Sequence, residues 1–241
     1  MERSYRFAKD NRALGLGALG WHSFLQSKMI PFESLEATKY NAWIFRNIQE
    51  KALKASKELA VMFGEPEILK GYGRRNTTLT AVAPTTSSAF ILGQVSQSIE
   101  PIWSNIYVKD VAKAKVTIRN EYLKEKLSNY GKDTREVWDS IRKQDGSVQH
   151  LDFLSDHEKE VFKTFGEINQ YAIIEQASIR QQFIDQSQSL NIMVNPNVSA
   201  KEINDLMLVA WEKGVKTLYY QHSTNAAQQF GKDKLCVVCE A

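Results

Sequence analysis

Cysteine is scarce in this sequence: only Cys236 and Cys239 occur, and both stand in its last six residues. At that position they cannot cross-link a folded core, so a disulfide-stapled scaffold is excluded. Long hydrophobic runs are missing too. The start, MERSYRFAKDNRALG, lacks the apolar stretch of a secretion signal, and no run approaches the roughly 18 apolar residues of a membrane span. These absences predict a cytoplasmic protein with no membrane partner.

Neither charge sign predominates. Lys and Arg total 31 against 28 Asp and Glu, a formal net charge of +3, which is too balanced for a surface that follows nucleic-acid phosphates. We therefore expect no nucleic-acid partner. The chain does have length and apolar content: 241 residues, of which 43% are hydrophobic, suffice for one large domain around a sizeable core.

Apolar spacing predicts most of the secondary structure. Steps of three and four residues indicate helices over residues 36–63 and 158–186, and β-branched residues indicate a strand over 77–83. A further extended segment is expected at 102–108. The stretch 111–148 carries many charges and little periodicity, so we interpret it as a surface excursion.

A β-α-β unit is the clearest pattern near the end of the chain. Alternating apolar residues predict a strand over 190–194, and Ser199 with Glu202 forms a capping box that begins a helix. Gly214 ends this helix, and a second strand is predicted over 215–220. Such a crossover normally joins parallel strands in the right-handed sense.

The two cysteines form a C-x-x-C pair within residues 223–241, whose polar composition predicts a mobile tail beyond a folded unit of residues 1–222. The spacing suits a dithiol that cycles between thiol and disulfide, or half of a zinc site. Redox exchange is favoured, because accessible thiols on a mobile segment can move between two partners. We expect no metal site, and we interpret the four histidines as surface or capped residues: His22, His150, His157 and His222.

The residues from Gly15 to Gly20 match the G-x-G-x-x-G pattern of dinucleotide-binding proteins. That pattern needs a buried strand directly before it, and the preceding residues 6–12 are largely polar and charged. The alternative is a tight strand-to-helix turn in which glycine allows close approach of the backbone. The context favours this packing interpretation over cofactor binding.

Four hydroxyl side chains follow a proline where the predicted strand over 77–83 passes into a helix: Pro84, Thr85, Thr86, Ser87 and Ser88. Free backbone N–H groups at such a junction attract phosphate, and hydroxyls add donors without adding charge. Ser and Thr are equally typical of an ordinary helix cap. Local chemistry therefore supports a phosphate site and a plain cap alike.

Tyr219 and Tyr220 are adjacent at the end of the second predicted strand. Adjacent side chains on a strand point to opposite faces, so one core ring and one exposed ring would be usual. A functional pair requires both rings to stack, which happens if the strand ends or bends there. The polar residues that follow allow such an end.

Taken together, four segments resemble the large subunit of class I ribonucleotide reductase, in that family's order. They are NRALGLGALG (11–20), RNTTLTAVAPTTSSAFILG with SIEP (75–101), QQFIDQSQSLN (181–191) and GVKTLYYQ (214–221). The terminal CVVC completes the pattern. The resemblance implies an α/β fold, the second half of this family's ten-stranded α/β barrel, with a flexible C-terminal tail.

The resemblance also implies roles for the residues singled out above. The run from Pro84 to Ser88 matches the loop that holds the substrate's diphosphate. Tyr220 matches the tyrosine that receives a radical from the small subunit, and Tyr219 the one that passes it inward. Cys236 and Cys239 match the tail dithiol that re-reduces the active-site disulfide and is itself reduced by thioredoxin or glutaredoxin.

The family's three active-site cysteines have no counterpart, since no cysteine precedes position 236. Because the sequence nevertheless starts with Met1, we expect a naturally divided subunit whose N-terminal part is a separate polypeptide; a truncation is the alternative. The expected partners are that N-terminal part, the small subunit with a radical cofactor of the di-metal type, thioredoxin or glutaredoxin, and a ribonucleoside diphosphate. This chain itself is expected to bind no cofactor, and its location is the cytoplasm, that of the host if a virus encodes it.

Two rival functions follow from single motifs. A nicotinamide-dependent dehydrogenase would be built on the glycines at 15–20, and it predicts nucleotide binding that Gly17→Val abolishes. A non-enzymatic assembly module would be linked by zinc at the cysteine pair, and it predicts about one tightly held zinc per one or two chains.

Overall fold

The computed structural model describes residues 1–111, 114–195 and 197–223, which form helices, short strands and one 3-10 turn at Glu67–Leu69. The helices are α1 Glu2–Asn11, α2 Trp21–Ser27, α3 Leu35–Phe63, α4 Thr86–Ile91, α5 Glu121–Asn129, α6 Arg135–Lys143, α7 Asp156–Val161, α8 Gln170–Gln181 and α9 Ala200–Glu212. The strands are β1 Ile106–Val111, β2 Ala114–Arg119, β3 Ile192–Met193 and β4 Gln221–His222. The long helix predicted over 36–63 is confirmed as α3.

Parallel pairings connect four extended segments side by side. Leu16 bridges Thr80, Val82 bridges Gln188, and β3 runs parallel to β4. The spatial order of the segments is 14–17, 79–82, 187–194 and 219–222. This parallel array positions the candidate site, because loops that follow neighbouring parallel segments emerge at the same edge.

The strand predicted over 77–83 is present only as single bridges. Its N-terminal half does not complete a ladder, because the backbone N–H groups of Leu79 and Thr80 donate instead to the carboxylate of Asp185, at 2.7 and 3.0 Å. A side chain thus takes the place of a neighbouring strand. The β-branched residues correctly predict an extended backbone here. They do not indicate whether a neighbouring strand or a side chain accepts its hydrogen bonds.

The predicted β-α-β unit is confirmed. Ser199 and Glu202 form both halves of a capping box at the start of α9, and Gly214 follows the helix with φ 73°. The two strands that α9 connects are parallel neighbours, with Ile192 opposite Gln221. The bounds of the second strand were wrong: β4 is Gln221–His222, and residues 215–220 form no strand, because the backbone pairing slips at Tyr219 and Tyr220.

The main core lies where α2, α3, α8 and α9 cover the parallel array. Trp21 and Leu25 of α2, Phe45 of α3, Ile174 of α8 and Leu206 of α9 are all buried in it. The long helix is fixed to α8 by a buried hydrogen bond as well, since the side chain of Asn41 donates to the carbonyl of Gln176 at 2.8 Å. The array therefore rests on a rigid helical layer.

The stretch predicted as a surface excursion has a core of its own. β1 and β2 form an antiparallel hairpin, and α5, α6 and α7 then pack around Leu123, Leu127, Trp138, Ile141 and Phe162. The prediction failed because the two helices within this stretch, α5 and α6, are only nine residues long and have three apolar residues each. So few apolar positions do not produce a visible period along the sequence.

The single helix predicted over 158–186 is wrong in one respect: it is two helices, α7 and α8, with a turn between them. Thr164 starts the turn, where its N–H donates to the carboxylate of Glu167 at 2.7 Å, and Asn169 then caps α8 by accepting from the N–H of Tyr171 at 2.9 Å. Buried Phe165 and Ile168 continue the apolar pattern through this turn, which hides the break from periodicity.

His22 is also not a surface residue, contrary to the prediction. Its ring is fully buried in α2, and its Nδ1 accepts a hydrogen bond from the N–H of Ile102 at 3.0 Å. Burial lowers the pKa of His22 to about 3. The neutral ring thereby fixes the segment that leads from the cavity wall into the β1–β2 hairpin.

Candidate functional site

A cavity of about 760 Å³ opens between the end of segment 79–82, the β1–β2 hairpin and the start of β4. Four of the predicted site residues line it: Pro84, Thr86, Tyr219 and Tyr220. The parallel array brings these residues together although 133 positions separate Thr86 from Tyr219 (219 minus 86). This is the candidate functional site.

The tyrosine rings of Tyr219 and Tyr220 lie against each other. Their centroids are 4.1 Å apart with an interplanar angle of 50°, and both residues are about half exposed. A hydrogen bond between the two hydroxyls raises the pKa of the Tyr219 phenol. The usual arrangement of one core ring and one exposed ring is therefore not the one adopted.

A one-residue slip in the backbone pairing explains how adjacent side chains meet. The N–H of Ile192 donates to the carbonyl of Tyr220 at 2.9 Å, and in a regular parallel ladder the preceding rung would run from the Tyr220 N–H to the Leu190 carbonyl. The Tyr219 N–H takes that carbonyl instead, at 2.8 Å, and the Tyr220 N–H donates to the side chain of Asn191 at 3.0 Å. This bulge breaks the alternation of faces, and it delays the start of β4.

Glu100 is a buried acid on the wall of this cavity that the sequence analysis did not single out. It is 4% exposed, and the side-chain amide of Asn191 donates to its carboxyl at 2.5 Å. The indole of Trp103 hydrogen-bonds the same carboxyl. Burial raises the pKa of Glu100 to about 7. The signal available in the sequence is an acid enclosed by Ile99 and Pro101, which is unusual for an exposed carboxylate.

Aromatic rings continue from the tyrosine pair to Trp103. The ring of His222 lies 5.7 Å from that of Tyr220 and 4.6 Å from that of Trp103. Burial lowers the pKa of His222, which favours the neutral ring. Trp103 also packs edge-on against Phe165 in the main core, at 5.4 Å. The tyrosines are therefore backed by a packed aromatic column.

The hydroxyl run is divided between two roles. Thr85 has φ 52°, and its hydroxyl accepts from the N–H of Ser98 at 2.8 Å. Thr86 begins α4 and lines the cavity, whereas Ser87 and Ser88 are exposed but are not lining residues. No hydroxyl of the run caps α4, so the plain-cap interpretation fails for this helix. Thr86 is the hydroxyl best placed to meet a ligand.

The β1–β2 hairpin contributes positive charge to the opposite wall. Lys109 lines the cavity with its ammonium 4.1 Å from the centroid of the Phe90 ring, and Arg119 lines it beside the Trp138 ring. Two cations facing a run of neutral donors make this end of the cavity suitable for an anion. Glu121 also lines the cavity, two positions after Arg119 in the sequence.

Comparison with known proteins decides the family. The chain matches the family model "Ribonucleotide reductase, barrel domain" over residues 1–68 and 65–221. The chain belongs to this reductase family. The expected fold class, an α/β barrel domain of the ribonucleotide reductase type, is thereby confirmed, and a solved relative agrees: the class Id ribonucleotide reductase alpha subunit of Actinobacillus ureae has a TM-score of 0.86 at 56% identity, over 93% of this chain.

Curated reductase subunits are similar as well. The large subunits of Invertebrate iridescent virus 6 and Invertebrate iridescent virus 3 are 43% and 42% identical, over 94% and 92% of this chain. The chain spans 24% and 36% of those two subunits and 41% of the Actinobacillus ureae chain. It therefore corresponds to the C-terminal portion of a reductase large subunit.

The glycines at 15–20 serve packing in this reductase domain. A Cβ on Gly17 would lie 2.2 Å from the carbonyl oxygen of Ala81, so only glycine allows segments 14–17 and 79–82 to approach. Gly20 has φ 78° and is the N-cap of α2. The predicted strand-to-helix turn is confirmed, and the nicotinamide alternative loses its structural basis.

Cys236 and Cys239, together with the rest of the predicted tail from residue 224 onward, lie outside the described residues. Within the residues that are described, His, Cys, Asp and Glu nowhere form a group of three that could hold a metal ion. In the same part of the reductase chain, no helix is both long and apolar enough to cross a membrane.

Proposed function

We propose that this chain supplies the diphosphate cradle, the inner end of the radical path and the shuttle dithiol of a ribonucleoside-diphosphate reductase. It acts when completed by the N-terminal part of the large subunit and by the small subunit, whose radical cofactor of di-metal type starts the reaction. The observation that carries the proposal is the contact between the tilted rings of Tyr219 and Tyr220 on the wall of a cavity that Thr86, Lys109 and Arg119 also line.

In the proposed transfer, the small subunit oxidises Tyr220 by removing one electron and one proton. Tyr219 then gives its hydroxyl hydrogen atom to the phenoxyl oxygen of Tyr220, so that Tyr220 is restored and Tyr219 carries the radical. The rings at 4.1 Å and the hydrogen bond between the two hydroxyls support such a step, because proton and electron can move over one short contact. Tyr219 finally takes a hydrogen atom from a thiol that the completing polypeptide provides.

The tyrosine pair is tested by Tyr219→Phe and Tyr220→Phe in the assembled complex. Phenylalanine keeps the ring packing but has no hydroxyl hydrogen to give, so each variant should lose turnover by at least about a thousandfold while substrate affinity stays unchanged. Tyr171→Phe, on the exposed face of α8, is the matched control and should keep wild-type turnover. Near-normal activity of either pair variant would reduce the tyrosines to packing residues.

The cysteine pair is proposed to reset the enzyme after each turnover. Cys236→Ser or Cys239→Ser should leave the first turnover intact, because the reduced thiols of the completing polypeptide serve it. Sustained turnover with thioredoxin or glutaredoxin should fail, since exchange needs an attacking thiolate and a second thiol to resolve the mixed disulfide. A small dithiol should restore part of the rate. Full steady-state activity of both variants with the protein reductant would refute the shuttle, and tightly bound zinc would favour the assembly module instead.

A further inference from the structure

Glu100 is held by two hydrogen-bond donors and by its own burial. The amide nitrogen of Asn191 is 2.5 Å from the carboxyl, and the indole N–H of Trp103 bonds it from a second direction. The orientation of Asn191 is fixed, because its oxygen accepts from the Tyr220 N–H at 3.0 Å. Its nitrogen is therefore the end that faces Glu100, and both neighbours of the carboxyl are donors.

Both donors also contact the segment that carries the tyrosine pair. Asn191 holds the N–H of Tyr220 at the backbone slip that brings the two rings together. Trp103 packs edge-on against His222, whose ring in turn lies beside that of Tyr220. Glu100 is thus linked to Tyr220 by two routes, one through Asn191 alone and one through Trp103 and then His222.

We propose that Glu100 is a positioning residue that keeps the rings of Tyr219 and Tyr220 in contact, and that it does so as a carboxylate. A carboxylate offers both of its oxygens as charged acceptors to the two donors. Protonation removes the charge and turns one oxygen into a hydroxyl, which is a poorer acceptor, so the hold on the two donors weakens. The importance of this positioning for radical transfer rests on the function proposed above. The positioning of the two rings by Glu100 does not depend on that function.

Because burial raises the pKa of Glu100 to about 7, the carboxyl changes its charge near neutral pH. The pair should be tethered by both links above that pH and should loosen as the pH falls through it. Other titratable or charged groups face the same cavity, and His22 is buried behind Ile102. The cavity-lining groups are Tyr107, Lys109, Arg119, Glu121, Tyr122, Tyr219, Tyr220 and His222.

The first test needs no substitution. In the full chain carrying ¹³C-labelled Glu and Tyr, nuclear magnetic resonance follows the Glu100 carboxyl and the ring signals of both tyrosines as the pH is varied. The ring signals should change with the same midpoint as the carboxyl, at about pH 7. Ring signals that stay constant while Glu100 titrates, or that follow His222 instead, would overturn the proposal.

Variants assign the effect to the carboxyl. In Glu100→Gln, one acceptor oxygen faces two donors at every pH, so the ring signals should stay near their low-pH positions and lose the midpoint at about pH 7. Glu121→Gln removes another carboxyl from the same cavity wall and should keep the wild-type midpoint. A ring titration that persists in Glu100→Gln would contradict the proposal.

A further experiment separates this inference from the proposed function. In the assembled reductase, wild-type turnover should rise by up to about tenfold per pH unit below the Glu100 midpoint, and Glu100→Gln should lose this rise. If the tyrosine ring signals titrate with Glu100 but the Tyr219→Phe complex is active, the positioning is supported and radical transfer through the pair is refuted. The opposite pair of results, constant ring signals and an inactive Tyr219→Phe complex, would refute the positioning alone.

Discussion

A single buried ring sets part of the chain's acid sensitivity. Nδ1 of His22 accepts from the Ile102 N–H, so the ring proton is on Nε2, where it bonds the carbonyl of Val161. A second proton on Nδ1 would place one N–H against another in a fully buried site. Burial accordingly lowers the pKa of His22 to about 3, and the folded state keeps this histidine neutral.

The pH dependence follows from the unfolded state. An unfolded histidine takes up a proton as the pH falls through its ordinary value of about 6.5, whereas the folded His22 does not until about pH 3. The unfolded state therefore binds more protons in this window, and the free energy of unfolding should fall by about 2 kcal/mol between pH 7 and pH 5 from this residue alone. Urea titrations at a series of pH values measure it.

Substitutions isolate the contribution of His22. His22→Gln should be less stable at pH 7 but should show a flatter pH dependence, because no group at this position gains a proton on unfolding. His157→Gln is the control: His157 is exposed on α7, and its replacement should leave the wild-type slope in place. Equal slopes in the wild type and His22→Gln would contradict the assignment.

At the scale of elements, the loop before α4 places Thr86 at the cavity. The hydroxyl of Thr85 is used internally on Ser98, and α4 has no side-chain cap. If this loop holds the substrate's diphosphate as proposed, each lost donor should cost roughly 1 kcal/mol, about fivefold in affinity. Alanine at 86, 87 and 88 together should therefore weaken substrate binding, with Thr86→Ala giving the largest single effect.

Equilibrium binding of a ribonucleoside diphosphate to the assembled complex checks this expectation. Alanine is a good helix former, so α4 should survive the triple change. Thr38→Ala, which removes a hydroxyl on α3 away from the cavity, should leave affinity unchanged. A triple variant with wild-type affinity would end the assignment of the loop to phosphate.

At the scale of the whole molecule, the parallel array has open edges. Segment 14–17 pairs with 79–82 on one side, β4 pairs with β3, and among the described residues neither outer segment has a second strand neighbour. Apolar side chains are also exposed, among them Trp43 on α3 and Trp211 on α9. Unpaired edges and exposed apolar faces favour association with another polypeptide.

We therefore expect the chain alone to show no nucleotide reduction and to bind the N-terminal part of a reductase large subunit. The first follows because a thiyl radical needs a thiol beside the substrate, and both thiols of this sequence are at 236 and 239. Size-exclusion chromatography of the mixture at micromolar concentration should show one complex. Turnover by the purified chain alone, or two polypeptides that elute separately, would count against a completed barrel.

Local chemistry made several features predictable from the sequence. The Ser199 capping box, the stop at Gly214 and the long helix α3 depend on residues within a few positions of one another, and each was found where expected. The failures share a cause. Buried residues in the turn between α7 and α8 imitate a helix, and the core around Trp138 is assembled from helices too short to show a period.

The sequence by itself determined the family, the segments that carry its motifs and the identity of the tyrosine pair, because these are written in consecutive residues. Only the tertiary structure decided that the two rings lie in contact, since the bulge depends on Asn191 accepting the N–H of Tyr220. It also decided that Glu100 is buried between two donors and that His22 is neutral. Burial and hydrogen-bond partners come from segments far apart in the chain, and no local pattern encodes them.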